Sequence, residues 1–118
     1  MFSLEKCIPC QGGIPPLNKE EIKKFKNLVD NDWNVENDKK IIREFGFSDY
    51  KTGIKFTNKV AELAENEGHH PYIHINFKKI KVILFTHKID GLHENDFLMA
   101  SKIDKMYKTF SKKNIKKG

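Results

Sequence analysis

The spacing of apolar residues alternates between a helical and a strand period along the chain. Ile22, Phe25, Leu28 and Val29 form one stripe at helical spacing, and Asn18-Lys-Glu-Glu21 ahead of them is an Asn-x-x-Glu start of the capping-box type. Trp33 to Val35 and Ile41 to Phe47 read as two strands, with Asn37 and Asp38 as the turn formers between them. Ile41, Phe45 and Phe47 alternate onto one face of the second strand. Ser48 is the expected N-cap of a second helix, with Tyr50, Ile54, Val60, Ala61 and Ala64 on its inward side. Gly68 fits the left-handed position that ends such a helix.

Two further strands follow. In 72–77, Ile73, Ile75 and Phe77 share one face and Tyr72, His74 and Asn76 the other; in 80–87, Ile80, Val82 and Leu84 oppose Lys81, Ile83 and Phe85. The lysines between these runs suit a tight hairpin. Gly91 interrupts the pattern, and a long helix is expected from about His93 to Phe110, with Phe97, Ile103, Met106 and Phe110 inward. The order is α-β-β-α-β-β-α. Sequential hairpins imply an antiparallel sheet, and helices on one face bury it, so the expected fold is an α+β two-layer sandwich of four strands and three helices. Residues 1–16, with Gly12-Gly13 and Pro15-Pro16, read as an irregular leader, 17–110 as one domain, and 111–118 as a lysine-rich tail.

A chain of 118 residues with 38% hydrophobic and 32% charged positions supports one modest core, not two domains. The net charge of +6 points to nucleic acid until it is located. Residues 102–118 hold seven lysines against one acid, Asp104, so the rest of the chain is formally neutral. Arg43 is the one arginine, whereas base and phosphate readers rely on arginine. No specific nucleic-acid interface is therefore expected, and the tail reads as a solubilising end. The longest apolar run, Val82-Ile83-Leu84-Phe85, is far too short to span a bilayer, and MFSLEKC lacks the pattern of a secretory signal. A soluble cytoplasmic location follows as the expectation, with a nuclear fraction also open.

Cys7 and Cys10 make a single C-x-x-C. A structural zinc site needs four ligands and a redox pair needs a following helix, and glycines and prolines follow instead. The pair reads as reduced thiols in the leader, with a metal or redox role left open.

The histidines are more informative. His69-His70-Pro71 lies past a helix end and before a strand, and His87 ends the next strand. In an antiparallel hairpin the start of the first strand neighbours the end of the second, which brings His87 near His69 and His70. Three neutral imidazoles can hold zinc with an open position, oriented by acceptors such as Glu65 and Asp96. They can also act directly, one giving a proton while another takes one. Adjacent histidines diverge on a regular strand, which leans the spacing toward acid/base work. His74 stands alone on a polar face, and His93 reads as a poor helix cap with Asp96 three residues on.

Glu65-x-x-Gly68-His69-His70-Pro71, Lys79-Ile80-x-Val82, Thr86-His87 and Gly91-Leu92-x-x-x-Asp96 together closely resemble the pterin-4a-carbinolamine dehydratase family. The likeness continues through Asp96-Phe97-Leu98-Met99-Ala100 and upstream through Phe45-x-Phe47, Asp32-Trp33 and the helix start at 17–21, and even the Cys7–Leu17 leader resembles that of some members. It spans roughly residues 5–110. It implies a four-stranded antiparallel sheet with three helices on one face. The implied reaction is dehydration of 4a-hydroxytetrahydrobiopterin to quinonoid dihydropterin, recycling the pterin of aromatic amino-acid hydroxylases without metal or organic cofactor. The implied catalytic residues are His69, His70 and His87, with Glu65, Gly68, Pro71, Thr86 and Asp96 as substrate contacts.

That chemistry suits histidines. Hydroxide leaves C4a poorly without a proton, and N5 must lose one as C4a=N5 forms; an acid and a base each contribute about 10²–10⁴-fold. His69 and His87 are expected as this pair, in either order, and His70 as the residue that orients the pterin. Three departures stand out: Gly68 replaces the frequent Asp or Asn, Ile73 the frequent Trp, and His93 the usual Thr or Ser. The resemblance also implies a homo-oligomer, dimer or tetramer, consistent with an unpaired sheet edge. Two alternatives remain. Animal members serve as dimerisation cofactors of a homeodomain transcription factor, and a His-ligated metal protein is a third reading.

Overall fold

A computed structural model describes residues 15–111, so Cys7, Cys10, most of the leader and the lysine tail lie outside the described residues. Helix α1 (Lys19–Lys26) opens on a complete capping box: the Glu21 amide donates to Asn18 Oδ1 and the Asn18 amide donates to Glu21 Oε1, both at 2.9 Å. The helix is shorter than its apolar stripe. It ends at Lys26, so Leu28 falls beyond it and is exposed, while Ile22 and Val29 are buried.

Strands β1 (Asn34–Glu36) and β2 (Lys40–Gly46) pair across a turn in which Asn37 and Asp38 have φ of 53° and 58°. Two successive left-handed residues match the twist of an antiparallel pair, and Asn and Asp tolerate them best among residues with a Cβ. Trp33, expected in the first strand, sits just before it and is fully buried.

Helix α2 (Tyr50–Glu67) starts one residue later than expected. Asp49, not Ser48, is its N-cap, accepting from the Thr52 amide at 2.8 Å. Its inward face is also rotated: Thr52, Phe56, Val60 and Ala64 form the buried row, Ile54 is half-buried, and Tyr50 and Ala61 are exposed. The cause is Phe56, whose ring lies 4.8 Å from Phe45 and 5.1 Å from Phe47. Burying a phenyl ring between two others stabilises by about 1.5–3 kcal/mol and sets the phase of the helix.

β3 (Tyr72–Asn76) and β4 (Lys79–Leu84) complete an antiparallel sheet of order β1-β2-β4-β3. Asn76 pairs with Lys79, so the turn residues are Phe77 and Lys78 rather than two lysines. Phe77, expected in the strand on the same face as Ile73 and Ile75, instead occupies this turn with φ of 55° and is exposed. Ile75, on the edge strand β3, is exposed as well, while Ile73 packs against the core. β4 stops at Leu84, so His87 lies not in a strand but in a 3-10 turn, His87–Ile89.

Helix α3 (Glu94–Ser111) closes the fold, burying Phe97, Met99, Ala100 and Ile103, with Met106 and Phe110 partly buried. Phe25 stacks on Phe97 with centroids 5.7 Å apart, tying α1 to α3. Ile41, Phe45, Ile80, Val82 and Leu84 face this helical layer from the sheet. Arg43 also faces inward: its Nη1 donates to Asp104 Oδ1 at 2.7 Å, and the same carboxylate accepts from Trp33 Nε1 at 2.8 Å and from the Asp30 amide at 2.9 Å. Among the described residues no helix is long and apolar enough to cross a membrane.

Candidate active site

The site begins where α2 ends. Gly68 takes φ of 69°, a left-handed conformation that costs glycine nothing sterically. The Gly68 amide then donates to Glu65 O at 3.3 Å and the His69 amide to Ala64 O at 3.1 Å, the bonding pattern of a Schellman motif. The backbone of His69 is therefore part of the helix closure, and the ring is directed from that fixed point into the protein.

His69 is buried, and its Nε2 lies 2.5 Å from Asp96 Oδ1. A carboxylate accepts there, so the proton belongs on Nε2 and the lone pair of the neutral ring is at Nδ1. Asp96 is itself fully buried in the first turn of α3; its Oδ2 accepts from Thr86 Oγ1 and from the His93 amide, each at 2.9 Å. One carboxylate thus joins three separate segments. It lies behind His69 rather than on a cavity wall, so it has no surface to offer a ligand.

His70 points the other way. Its Nε2 lies 3.0 Å from Glu65 Oε1, with both side chains mostly exposed, and such a pair contributes little to stability. Lys102 bonds Glu67 at 2.7 Å and fastens the same end of α2 to α3.

His87 comes from the segment after β4. Thr86 and Gly91 form a short bridge, the Thr86 amide donating to Gly91 O at 2.8 Å, and the four residues between them form a small closed loop. Ile89 anchors the loop in the interior and Asp90 turns it with φ of 51°. Position 91 requires glycine, since a Cβ there would meet Pro16 Cβ at 2.6 Å. The His87 ring rests against Phe85 with centroids 4.2 Å apart and 5.6 Å from Tyr72.

These pieces surround one cavity of about 400 Å³, lined by Gly68, His69, His70, Pro71, Tyr72, Phe85, Thr86, His87 and Lys88. Of the residues singled out in the sequence, His69, His70, His87, Gly68, Pro71 and Thr86 meet here; Glu65 and Asp96 stand behind two of the histidines. Sequence reasoning missed Tyr72 and the side chains of Phe85 and Lys88. The first two were legible in principle: Tyr72 pairs with Ile83, which sets it diagonally beside Phe85 on the face away from the helices. Their rings, 5.4 Å apart, supply the aromatic wall that Ile73 does not. The three histidines turn toward different partners, and among the described residues no three His, Cys, Asp or Glu side chains are grouped to hold a metal ion.

A sequence model of the family described as pterin 4 alpha carbinolamine dehydratase matches residues 15–106. The chain belongs to that family. Its relatives include a protein of Alkaliphilus metalliredigens, 48% identical over 101 residues, covering 86% of this chain and 91% of the relative. Another, from Rickettsia bellii, is 47% identical over 103 residues, covering 87% and 91%. The names of both assign them provisionally to pterin-4-alpha-carbinolamine dehydratase. A crystal structure of a transcriptional coactivator/pterin dehydratase from Brucella melitensis superposes with a TM-score of 0.73 at 30% identity, covering 78% of this chain and 98% of that one. In this dehydratase family member three histidines line one cavity.

Proposed function

We propose that the protein dehydrates a 4a-hydroxytetrahydropterin to the quinonoid dihydropterin, with His69 and His87 as the proton-transferring pair. The observation that carries this reading is the buried His69–Asp96 pair opening onto a cavity with two further histidines and two aromatic rings. His69 is the base. Its tautomer is set by Asp96, and the carboxylate faces the positive charge the ring gains when it takes the N5 proton. His87 is the acid that protonates the C4a hydroxyl as it departs. The C4a–O bond breaks, water leaves, C4a=N5 forms, and the proton given by one ring is matched by the proton taken by the other. His70, held by Glu65, orients the pterin, and Tyr72 and Phe85 offer faces for the bicyclic ring. No step needs a metal or an organic cofactor. The edge strand β3, unpaired on one side, supports assembly into a homo-oligomer.

The test is stopped-flow breakdown of a 4a-carbinolamine, in chelator, with wild type beside His69→Ala and His87→Ala. Each substitution is expected to lower the enzymatic rate about 10²–10⁴-fold while chelator changes nothing. A wild type that does not accelerate the reaction would overturn the reading and turn attention to a protein partner.

A further inference from the structure

His93 was read from sequence as a poor cap, yet it caps α3. Its Nδ1 accepts from the Asn95 amide at 3.3 Å, while its own amide donates to Asp96 Oδ2 at 2.9 Å. This is half of a capping box, with Asp96 reaching back to the His93 amide, joined to a side-chain cap on the second rather than the third amide of the helix. The same Asp96 carboxylate holds His69 through its other oxygen. The helix start and the orientation of a site histidine therefore share one group.

We propose that His93 is a positioning residue for His69, acting through the first turn of α3, and that its protonation releases this arrangement and disables the site in mild acid. The inference rests on the functional reading above for its rate effect, and on geometry alone for its structural effect. To cap, His93 must be neutral with a lone pair on Nδ1. A proton there sets N–H against the Asn95 N–H and puts a positive charge at the positive end of the helix dipole. The first turn then loses its side-chain cap, which loosens the backbone that carries Asp96 toward His69. A serine in this position would cap without titrating.

Among the described residues, the charged and titratable groups around the ring are Glu94 and Asp96 from α3 and His69 from the α2–β3 connection. Leu17, whose amide bonds Leu92 O beside it, brings no charge. Burial of the half-buried ring holds His93 below the usual histidine value; the two carboxylates oppose this and His69 adds to it. The cap therefore stays intact at neutral pH and fails below the ordinary histidine range of about 6.5.

Two measurements test the proposal. The first is the pH dependence of kcat and KM for 4a-carbinolamine breakdown in wild type, His93→Ser and His93→Ala. His93→Ser is expected to retain a larger share of its neutral-pH kcat at pH 5.5 than wild type, by about 3- to 10-fold, the weight of one helix cap. His93→Ala is expected to lower kcat by a similar factor at neutral pH with KM little changed. The second is an NMR titration of wild type and His93→Ser, following the Asn95 amide and the His69 ring. Both signals are expected to shift with the His93 titration and to lose that component in His93→Ser. Superimposable acid limbs in wild type and His93→Ser, or an Asn95 amide that ignores the titration of His93, would overturn the proposal. If wild type itself gave no turnover, the functional reading would fall and the NMR result would decide this inference alone.

Discussion

Two buried aspartates on α3, eight residues apart, have the same chemistry and different surroundings. Asp96 accepts from His69, Thr86 and the His93 amide; Asp104 accepts from Arg43, Trp33 and the Asp30 amide. Each carboxylate thus meets one cationic or imidazole partner, one neutral side chain and one backbone N–H. The difference is in the first of these. An arginine side chain offers no exchangeable proton for catalysis, and Phe45 and Tyr107 flank the Arg43 guanidinium at 4.5 and 5.1 Å. His69 can exchange a proton, and a cavity adjoins it. Burial and three hydrogen bonds to each carboxylate thus mark a polar network as expensive to disrupt. Only an exchangeable partner beside open space marks it as chemical.

The comparison can be broken from either end. Asp104→Ala leaves Arg43 buried without its closest partner, and is expected to cost about 3–5 kcal/mol in urea denaturation. Turnover per folded molecule would stay near wild type; a fall of more than about tenfold there would erase the distinction between the two ends. Asp96→Asn retains shape and removes the charge and the tautomer control. It is expected to lower kcat about 10²-fold or more, read by stopped flow, while denaturation moves less than in Asp104→Ala. The smallest effect belongs to a carboxylate in neither network. Asp49 is held below the usual aspartate value chiefly by its side-chain bond to Thr52, then by the Thr52 amide, with Lys51 and Lys55 adding and slight desolvation opposing. A depressed carboxylate stabilises above its unfolded pKa and stops doing so as pH falls through its folded one. The Tm difference between wild type and Asp49→Ala should accordingly be present at pH 7 and vanish well below pH 4, as thermal melts across that range would show.

Local signals are legible in the sequence and distant ones are not. Asn18 with Glu21, Asn37 with Asp38, and Gly68 each act within a few residues, and each stands where the pattern placed it. The α2 cap slipped by one because Ser48 and Asp49 are both competent caps, and no local rule chooses between neighbours. Local spacing does not set the inward face of α2; only the meeting of Phe56 with Phe45 and Phe47 fixes its phase. The hairpin turn slipped because nothing in its sequence favours Phe77 in a left-handed conformation over a lysine. The gathering of His69, His70 and His87 was legible because one hairpin carries it. The partnership of Arg43 with Asp104, 61 residues apart, has no sequence signature at all.

The loop that carries His87 is pinned at its base by the Thr86–Gly91 bridge and by Pro16 against Gly91, and inside by Ile89. Lys88, between two fixed points, lines the cavity yet bears none of the closure. The loop is in effect a rigid mount with residue 88 as its exchangeable position. Position 88 is the natural place for natural variation or laboratory selection to exchange side chains, retuning what the cavity accepts without redesigning the fold that holds it.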